Sequence, residues 1–273
     1  MILWTKNVLS KLYRKFFYPS GIVLADAREY VAGDDTRLIN WNITAKTNAL
    51  FVNNICADSG NDIIFALDVS ESIKFGTKKQ SKISLAIDIL KSLSQLSEKN
   101  NDRVGCLTFS NKVEKYFPPR RRPQCFPYTI DRIVHSPEKL RTDLLVALRF
   151  LNKVLTKRSR VILICDTFAL TVGRKAILAQ LHILKSRHDV MMFPMVDNND
   201  MLMARIGRIT IEDSETGEIF EIDTDDIEMM ARIATQYAAY QKLIFRDVEN
   251  VGIKIFPINT QDSTMGLLFK LFK

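Results

Sequence analysis

The chain has 273 residues, 47% hydrophobic and 26% charged, with 39 Lys and Arg against 31 Asp and Glu for a formal net charge of +8. That length buries a sizeable core as one large α/β domain or two small ones, and the composition excludes wholesale disorder. The positive balance favours an acidic protein, an anionic membrane surface or nucleic acid as partner and does not choose among them.

In chain order, residues 3–17 read as a helix. Leu9, Leu12, Tyr13 and Phe16 keep helical spacing, Lys11, Arg14 and Lys15 lie off that stripe, and Pro19-Ser20-Gly21 ends it. The stripe suits docking on a core; the basic face also suits peripheral contact with an anionic membrane or a partner. The N-terminus lacks the apolar stretch and cleavage site of a signal peptide. No apolar run reaches the ~18 residues that span a bilayer, so a cytoplasmic protein is expected. Residues 29–52 follow, with turn chemistry at Gly33-Asp34-Asp35 and with Ile39 and Trp41 read as core.

From about residue 60, apolar runs at 63–67, 104–109, 161–165, 190–196 and 253–258 alternate with helical stretches at 80–98, 143–156, 172–186, 226–248 and 262–272. Short apolar runs alternating with helices predict a doubly wound, mostly parallel sheet of five or six strands covered on both faces. The stretch 143–156 is apolar nearly all round and reads as well buried. Residues 112–117 follow Phe109 after Ser-Asn, a spacing for a hairpin, and predict one antiparallel edge strand. Residues 208–223 alternate apolar and polar around Glu215-Thr216-Gly217 and predict an inserted hairpin over about 205–224. The expected division is a leader, 1–58, packed on a main domain, 59–273.

The four cysteines, at 56, 106, 125 and 165, form no Cys-x-x-Cys pair. A zinc site and a disulfide framework are therefore not expected. His135, His182 and His188 are scattered, and no phosphate loop, dinucleotide fingerprint or nucleophile elbow appears.

The first strand ends in Asp68-Val69-Ser70-Glu71-Ser72. Average residue frequencies produce Asp-x-Ser-x-Ser by chance about once in fifteen chains of this length, so its placement carries the argument. In a doubly wound sheet, the C-terminal strand ends at the point where strand order reverses carry the ligands. Asp166 follows the strand 161–165 at the matching end, and Thr142 opens the helix 143–156. If the two strands are neighbours, two carboxylates and three hydroxyls converge. A hard cation resolves the repulsion between the carboxylates, and oxygen-only ligands favour magnesium or manganese. Taken singly, Thr142 is a natural helix N-cap, and Asp68 and Asp166 are natural cap or loop residues.

Together these residues resemble the metal-ion-dependent adhesion site of von Willebrand factor A domains, which runs Asp-x-Ser-x-Ser, then a loop Thr, then an Asp after a later strand. The resemblance implies that Ser70, Ser72 and Thr142 contact the metal and that Asp68 and Asp166 act through water. It also implies one position left open for a partner's carboxylate. Tyr30, Gly33, Asp34, Arg37, Ile39, Trp41 and Ala45 resemble the leader motif of the bacterial family known as domain of unknown function number fifty-eight, which precedes a von Willebrand A-like domain. Asn40 and Lys46 stand where that motif has Asp and Arg. Phe117-Pro118-Pro119-Arg120, His188-Asp189-Val190 and 213–218 are also similar, so the likeness spans roughly 20–270. It implies a partner, a MoxR-type AAA+ ATPase, and a chaperone-like role in maturing or assembling other proteins. Many members carry membrane spans.

The expectation is therefore a metal-dependent protein–protein interaction module and not an enzyme. One alternative is a magnesium-dependent phosphatase or phosphotransferase with Asp68 as nucleophile, but the position two residues on, where such enzymes need an acid, is Ser70. The other is nucleic-acid binding through Arg120-Arg121-Arg122. No recognition motif or aromatic platform accompanies that cluster, so nucleic acid is not expected, and the cluster reads as a further partner-binding surface.

Overall fold

In the computed structural model the described residues are 13, 27–47, 49–53, 61–74, 76–77, 80–121, 142–171, 173–196, 207–212, 219–264 and 266–267. The leader contributes β1 (Ala27–Glu29), α1 (Trp41–Thr47) and β2 (Phe51–Asn53), with β1 and β2 paired antiparallel. Asn40 caps α1 by accepting the Ile43 N–H at 3.1 Å. Asn caps a helix as well as Asp does, so this departure from the family motif leaves the turn intact. Arg37 pairs with the adjacent Asp35 at 2.8 Å on the surface. Ile39 is half-buried and bridges Val52. Trp41, expected in the core, is 67% exposed: it opens a seven-residue helix at its first position. The expected boundary near residue 58 lies outside the described residues.

The main sheet begins with β3 (Asp62–Asp68). The chain then runs through α2 (Glu71–Lys74), a two-residue ribbon of β4 (Gly76–Thr77) and β5 (Gln80–Ser81), α3 (Lys82–Lys99), β6 (Arg103–Phe109) and β7 (Val113–Arg120). It continues with α4 (Leu144–Val154), β8 (Arg160–Asp166), α5 (Arg174–Arg187), β9 (Asp189–Val196), the hairpin β10 (Arg208–Glu212) and β11 (Ile219–Asp223), α6 (Ile227–Asn250), β12 (Lys254–Ile255) and β13 (Ile258–Asn259). Strand order is β12-β9-β8-β3-β6-β7, with β13 also on β9. All neighbours are parallel except β6 and β7. This is the doubly wound, von Willebrand factor A-like arrangement, with its antiparallel strand at the edge.

Period-two alternation on β3 splits the core in two. Ile63, Phe65 and Leu67 pack with Leu85, Ile89 and Leu93 of α3 on one face. Ile64 and Ala66 pack with Leu148 and Leu151 of α4, Leu181 of α5 and Ile244 of α6 on the other. Each such aliphatic side chain contributes about 1.5–3 kcal/mol on burial. Helix α4 buries one stripe, Leu144, Ala147, Leu148 and Leu151, and exposes Arg149 and Lys153, so it is amphipathic and not buried all round. The strand expected over 253–258 is split, because Pro257 offers no N–H to the ladder. Most of the helix expected over 262–272 lies outside the described residues.

The edge strand is longer than expected because it carries Pro118 and Pro119 past a register shift opposite Gly105. A β-carbon on Gly105 would lie 2.6 Å from the Phe117 carbonyl oxygen and 2.9 Å from both Pro119 N and Ile64 Cδ1. Only glycine admits this close approach. Of residues 3–17, Tyr13 is described: it is helical and fully buried, and its hydroxyl donates to Asp102 Oδ2 at 2.8 Å. Asp102 Oδ1 in turn accepts the Asn61 N–H at 3.0 Å, which ties this turn to the entry of β3. The remainder of the stripe lies outside the described residues.

Candidate functional site

After β3 the chain moves to β6 on one side, and after β7 it returns to β8 on the other. The reversal falls at β3, and the C-terminal ends of β3 and β8 carry Asp68 and Asp166. The sheet therefore builds a crevice where parallel α/β folds take ligands.

Asp68 is fully buried. Its Oδ1 accepts the Ser70 N–H at 2.9 Å, closing the turn that leads out of the strand. Its Oδ2 is buried with no hydrogen-bond partner among the described residues. Burial, helped by the nearby Asp166 charge, pushes the Asp68 carboxyl up to about 6, against the pull of the Ser70 hydroxyl and N–H and of the Asp166 N–H. Ser70, fully buried, stands 3.0 Å from Ser72, hydroxyl to hydroxyl. Thr142 donates to Ser70 Oγ at 2.5 Å and lies 3.2 Å from Ser72 Oγ. The three hydroxyls thus form a closed triangle, open toward solvent through the half-buried Ser72 and Thr142.

Thr142 reaches this point by two local devices. The N-cap of α4 is Asp143, whose carboxylate accepts the Leu145 N–H at 2.9 Å, so the Thr142 hydroxyl is not spent on capping. The Asp143 N–H donates to the Ser110 carbonyl at 3.0 Å, fastening this segment to the end of β6. The Val69 N–H donates to the Phe109 carbonyl at 2.9 Å and fixes the other side of the crevice. Ser110 is a positioning residue whose contribution runs through its carbonyl, which no side-chain motif advertises.

Asp166 is also buried, and it pairs with a residue that no site motif marks. The Lys82 ammonium lies 2.9 Å from Asp166 Oδ2, with the two side chains 2% and 1% exposed. Lys82 opens α3 directly after its N-cap Ser81. The crevice therefore contains an ammonium beside its two carboxylates. Of the basic cluster, Arg120 ends the edge strand β7 and is exposed, Arg121 follows and is exposed, and Arg122 lies outside the described residues. The cluster is a property of the sheet edge and is not part of the crevice.

The donor set fits a hard divalent cation. Magnesium binds oxygen at about 2.0–2.1 Å in near-octahedral geometry, which separates neighbouring ligands by about 2.9 Å. The hydroxyl separations of 2.5, 3.0 and 3.2 Å bracket that spacing, and the unpartnered Asp68 Oδ2 lacks the partner that a cation or its bound water provides. The described residues contain no group of three or more His, Cys, Asp and Glu able to hold a metal, so a cation here depends on hydroxyl oxygens. Among the described residues no helix is long and apolar enough to cross a membrane.

A model of the family described as "Protein of unknown function DUF58" matches residues 26–243. Uncharacterized protein Rv1480 of Mycobacterium tuberculosis is 26% identical over 240 residues, which cover 86% of this chain and 74% of that protein. Among solved structures, an aerotolerance-related membrane protein from Bacteroides fragilis, crystallised with multiple mutations to serines, superposes with a TM-score of 0.50 at 15% identity. The match covers 78% of this chain and 98% of that one. The SpRpn10 VWA domain superposes with a TM-score of 0.44 at 9% identity, over 77% of this chain and 94% of that one.

Proposed function

This chain belongs to the DUF58 family, and we propose that it is a metal-dependent protein–protein interaction module. The observation that carries the reading is the hydroxyl triangle of Ser70, Ser72 and Thr142 beside the unpartnered Asp68 Oδ2. Ser70, Ser72 and Thr142 would hold magnesium or manganese directly, and Asp68 and Asp166 would support it from behind. The bound cation would supply an electrophilic position for a carboxylate oxygen from another protein. The chain's own residues do the rest. The Asp143 cap and the Ser110 carbonyl aim Thr142, and the turn at Ser70 keeps the Asp68 charge against the site. Half-buried Ser72 and Thr142 leave an entrance through which an Asp or Glu side chain can approach. A charge-assisted contact in a partly dry crevice is worth more than the same contact on an open surface.

The module is read as non-catalytic. A phosphatase using Asp68 as nucleophile needs a second acid two residues on, and Ser70 there is engaged with two other hydroxyls. In this proposal the module works in the cytoplasm, and its partner is a MoxR-type AAA+ ATPase or a client protein matured with it. Family resemblance supports that partner, and the exposed Arg120 and Arg121 offer a second, basic contact. The test is capture of a MoxR-type AAA+ ATPase by wild type and by Thr142→Ala, with and without EDTA. Capture by wild type that is lost in EDTA and weakened by Thr142→Ala is expected. Equal capture by both proteins in EDTA contradicts the reading.

A further inference from the structure

Lys82 is among the most deeply buried residues of the chain, 1% exposed, yet it carries a charge. Burying an ammonium and a carboxylate is costly even when they pair, and an apolar pair of similar volume serves packing as well or better. Lys82 also stands in the first turn of α3, where the helix dipole disfavours a cation. Neither core packing nor helix stability accounts for a lysine here. What it changes is the charge of the crevice. Asp68 and Asp166 supply two negative charges and Lys82 returns one, so the described site carries a net charge of −1 and becomes +1 with a divalent cation. Without Lys82 these groups would sum to zero once loaded, and the pull on an incoming carboxylate would be weaker.

We propose that Lys82 is a built-in counter-ion of the crevice: it neutralises Asp166, leaves Asp68 as the carboxylate that faces the cation, and makes cation binding weak until an acidic partner group completes the shell. This rests on the metal-dependent reading of the same site. It assigns Lys82 a positioning and regulatory role, coupling cation affinity to partner binding. Each then strengthens the other, as linkage requires.

The experiment is calorimetric titration of magnesium chloride into chelator-treated full-length wild type, Lys82→Met and the neutral pair Lys82→Met/Asp166→Asn, with thermal melting of each with and without the metal. Lys82→Met removes the charge that neutralises Asp166. It is expected to bind magnesium roughly tenfold tighter than wild type, the scale of one charge changed at close range. It should also melt lower without metal and gain more from metal than wild type does. The neutral pair removes both charges and, with Asp166, part of the support behind the cation, so its affinity should fall below that of Lys82→Met. Magnesium binding by wild type with no tightening in Lys82→Met overturns the inference alone, as does a neutral pair that binds as tightly as Lys82→Met. No binding by any of the three overturns the metal-dependent reading itself. If Lys82→Met does not fold, Lys82→Gln takes its place, with the same tightening expected.

Discussion

Thr142 and Asp143 are adjacent, both stand at the start of α4, and the account gives them opposite roles that substitution can separate. In Thr142→Val the side chain keeps its shape and loses its hydroxyl, and with it the contacts to Ser70 at 2.5 Å and Ser72 at 3.2 Å. A hydrogen bond contributes about 0.5–1.5 kcal/mol net. For a half-buried hydroxyl whose partners keep each other, the expected loss is about 1 kcal/mol, or a melting point lower by about 2–4 °C for a chain of this size. Magnesium affinity should fall by at least about tenfold, because even outer-shell partners of a metal site are worth that much. Asp143→Ala removes the N-cap contact to Leu145 and costs a similar ~1 kcal/mol, but should lower magnesium affinity less than Thr142→Val does, because Asp143 only aims that hydroxyl. Urea unfolding gives the stabilities and calorimetry the affinities. If Thr142→Val binds magnesium as wild type does, or loses more than about 3 kcal/mol of stability, then Thr142 serves the fold and the reasoning fails.

Gly105→Ala should cost about 1–3 kcal/mol, read by urea unfolding, because two of the three atoms its β-carbon would meet are backbone atoms of the edge strand; a change below about 0.5 kcal/mol would mean that the β6–β7 register differs. His188 is buried and its Nδ1 accepts the Ser159 N–H at 3.3 Å, and burial, then the Arg187 charge, hold its pKa below the ordinary 6.5. The unfolded chain therefore takes a proton that the folded chain refuses. The His188 contribution to stability should be level above about pH 7 and fall below the unfolded value by at most about 1.4 kcal/mol per pH unit, against the opposite contribution of the raised Asp68 carboxyl. That fall should disappear in His188→Asn, and an unchanged pH profile in the variant would contradict the assignment. Generic phosphoesters and ATP should be turned over at background with magnesium present; turnover abolished by Asp68→Asn would replace the binding-module reading with an enzyme.

Much of this molecule was legible in its sequence, for physical reasons. Strands buried on both faces must be apolar throughout, so β3, β6, β8 and β9 announced themselves as unbroken runs. The edge strand and the hairpin of β10 and β11 showed through turn spacing and alternation. Asp68, Ser70, Ser72 and Thr142 were legible because the first three follow a strand end and Thr142 precedes a helix, and the fold brings the hydroxyls together. Trp41 was misread because aromatic character alone was taken as burial, while its helix exposes that face. Lys82 was missed although a signal existed. It lies on the stripe with Leu85, Ile89 and Leu93, all buried, and a charge on an apolar stripe asks for a buried partner. That the partner is Asp166, on a strand 84 positions away, depends on β8 lying beside β3, which sequence periodicity does not convey. The role of the Ser110 carbonyl was equally hidden, since backbone acceptors carry no residue-type signature.

The central claim is that the crevice between β3 and β8 takes a divalent cation through hydroxyl oxygens. Calorimetric titration of magnesium, then manganese, into chelator-treated protein tests it most directly, with Asp68→Ala/Ser70→Ala alongside wild type. One cation per chain should bind to wild type and none to the double variant, provided that the variant still unfolds cooperatively. Binding that is the same in both proteins would put the cation elsewhere and contradict the account.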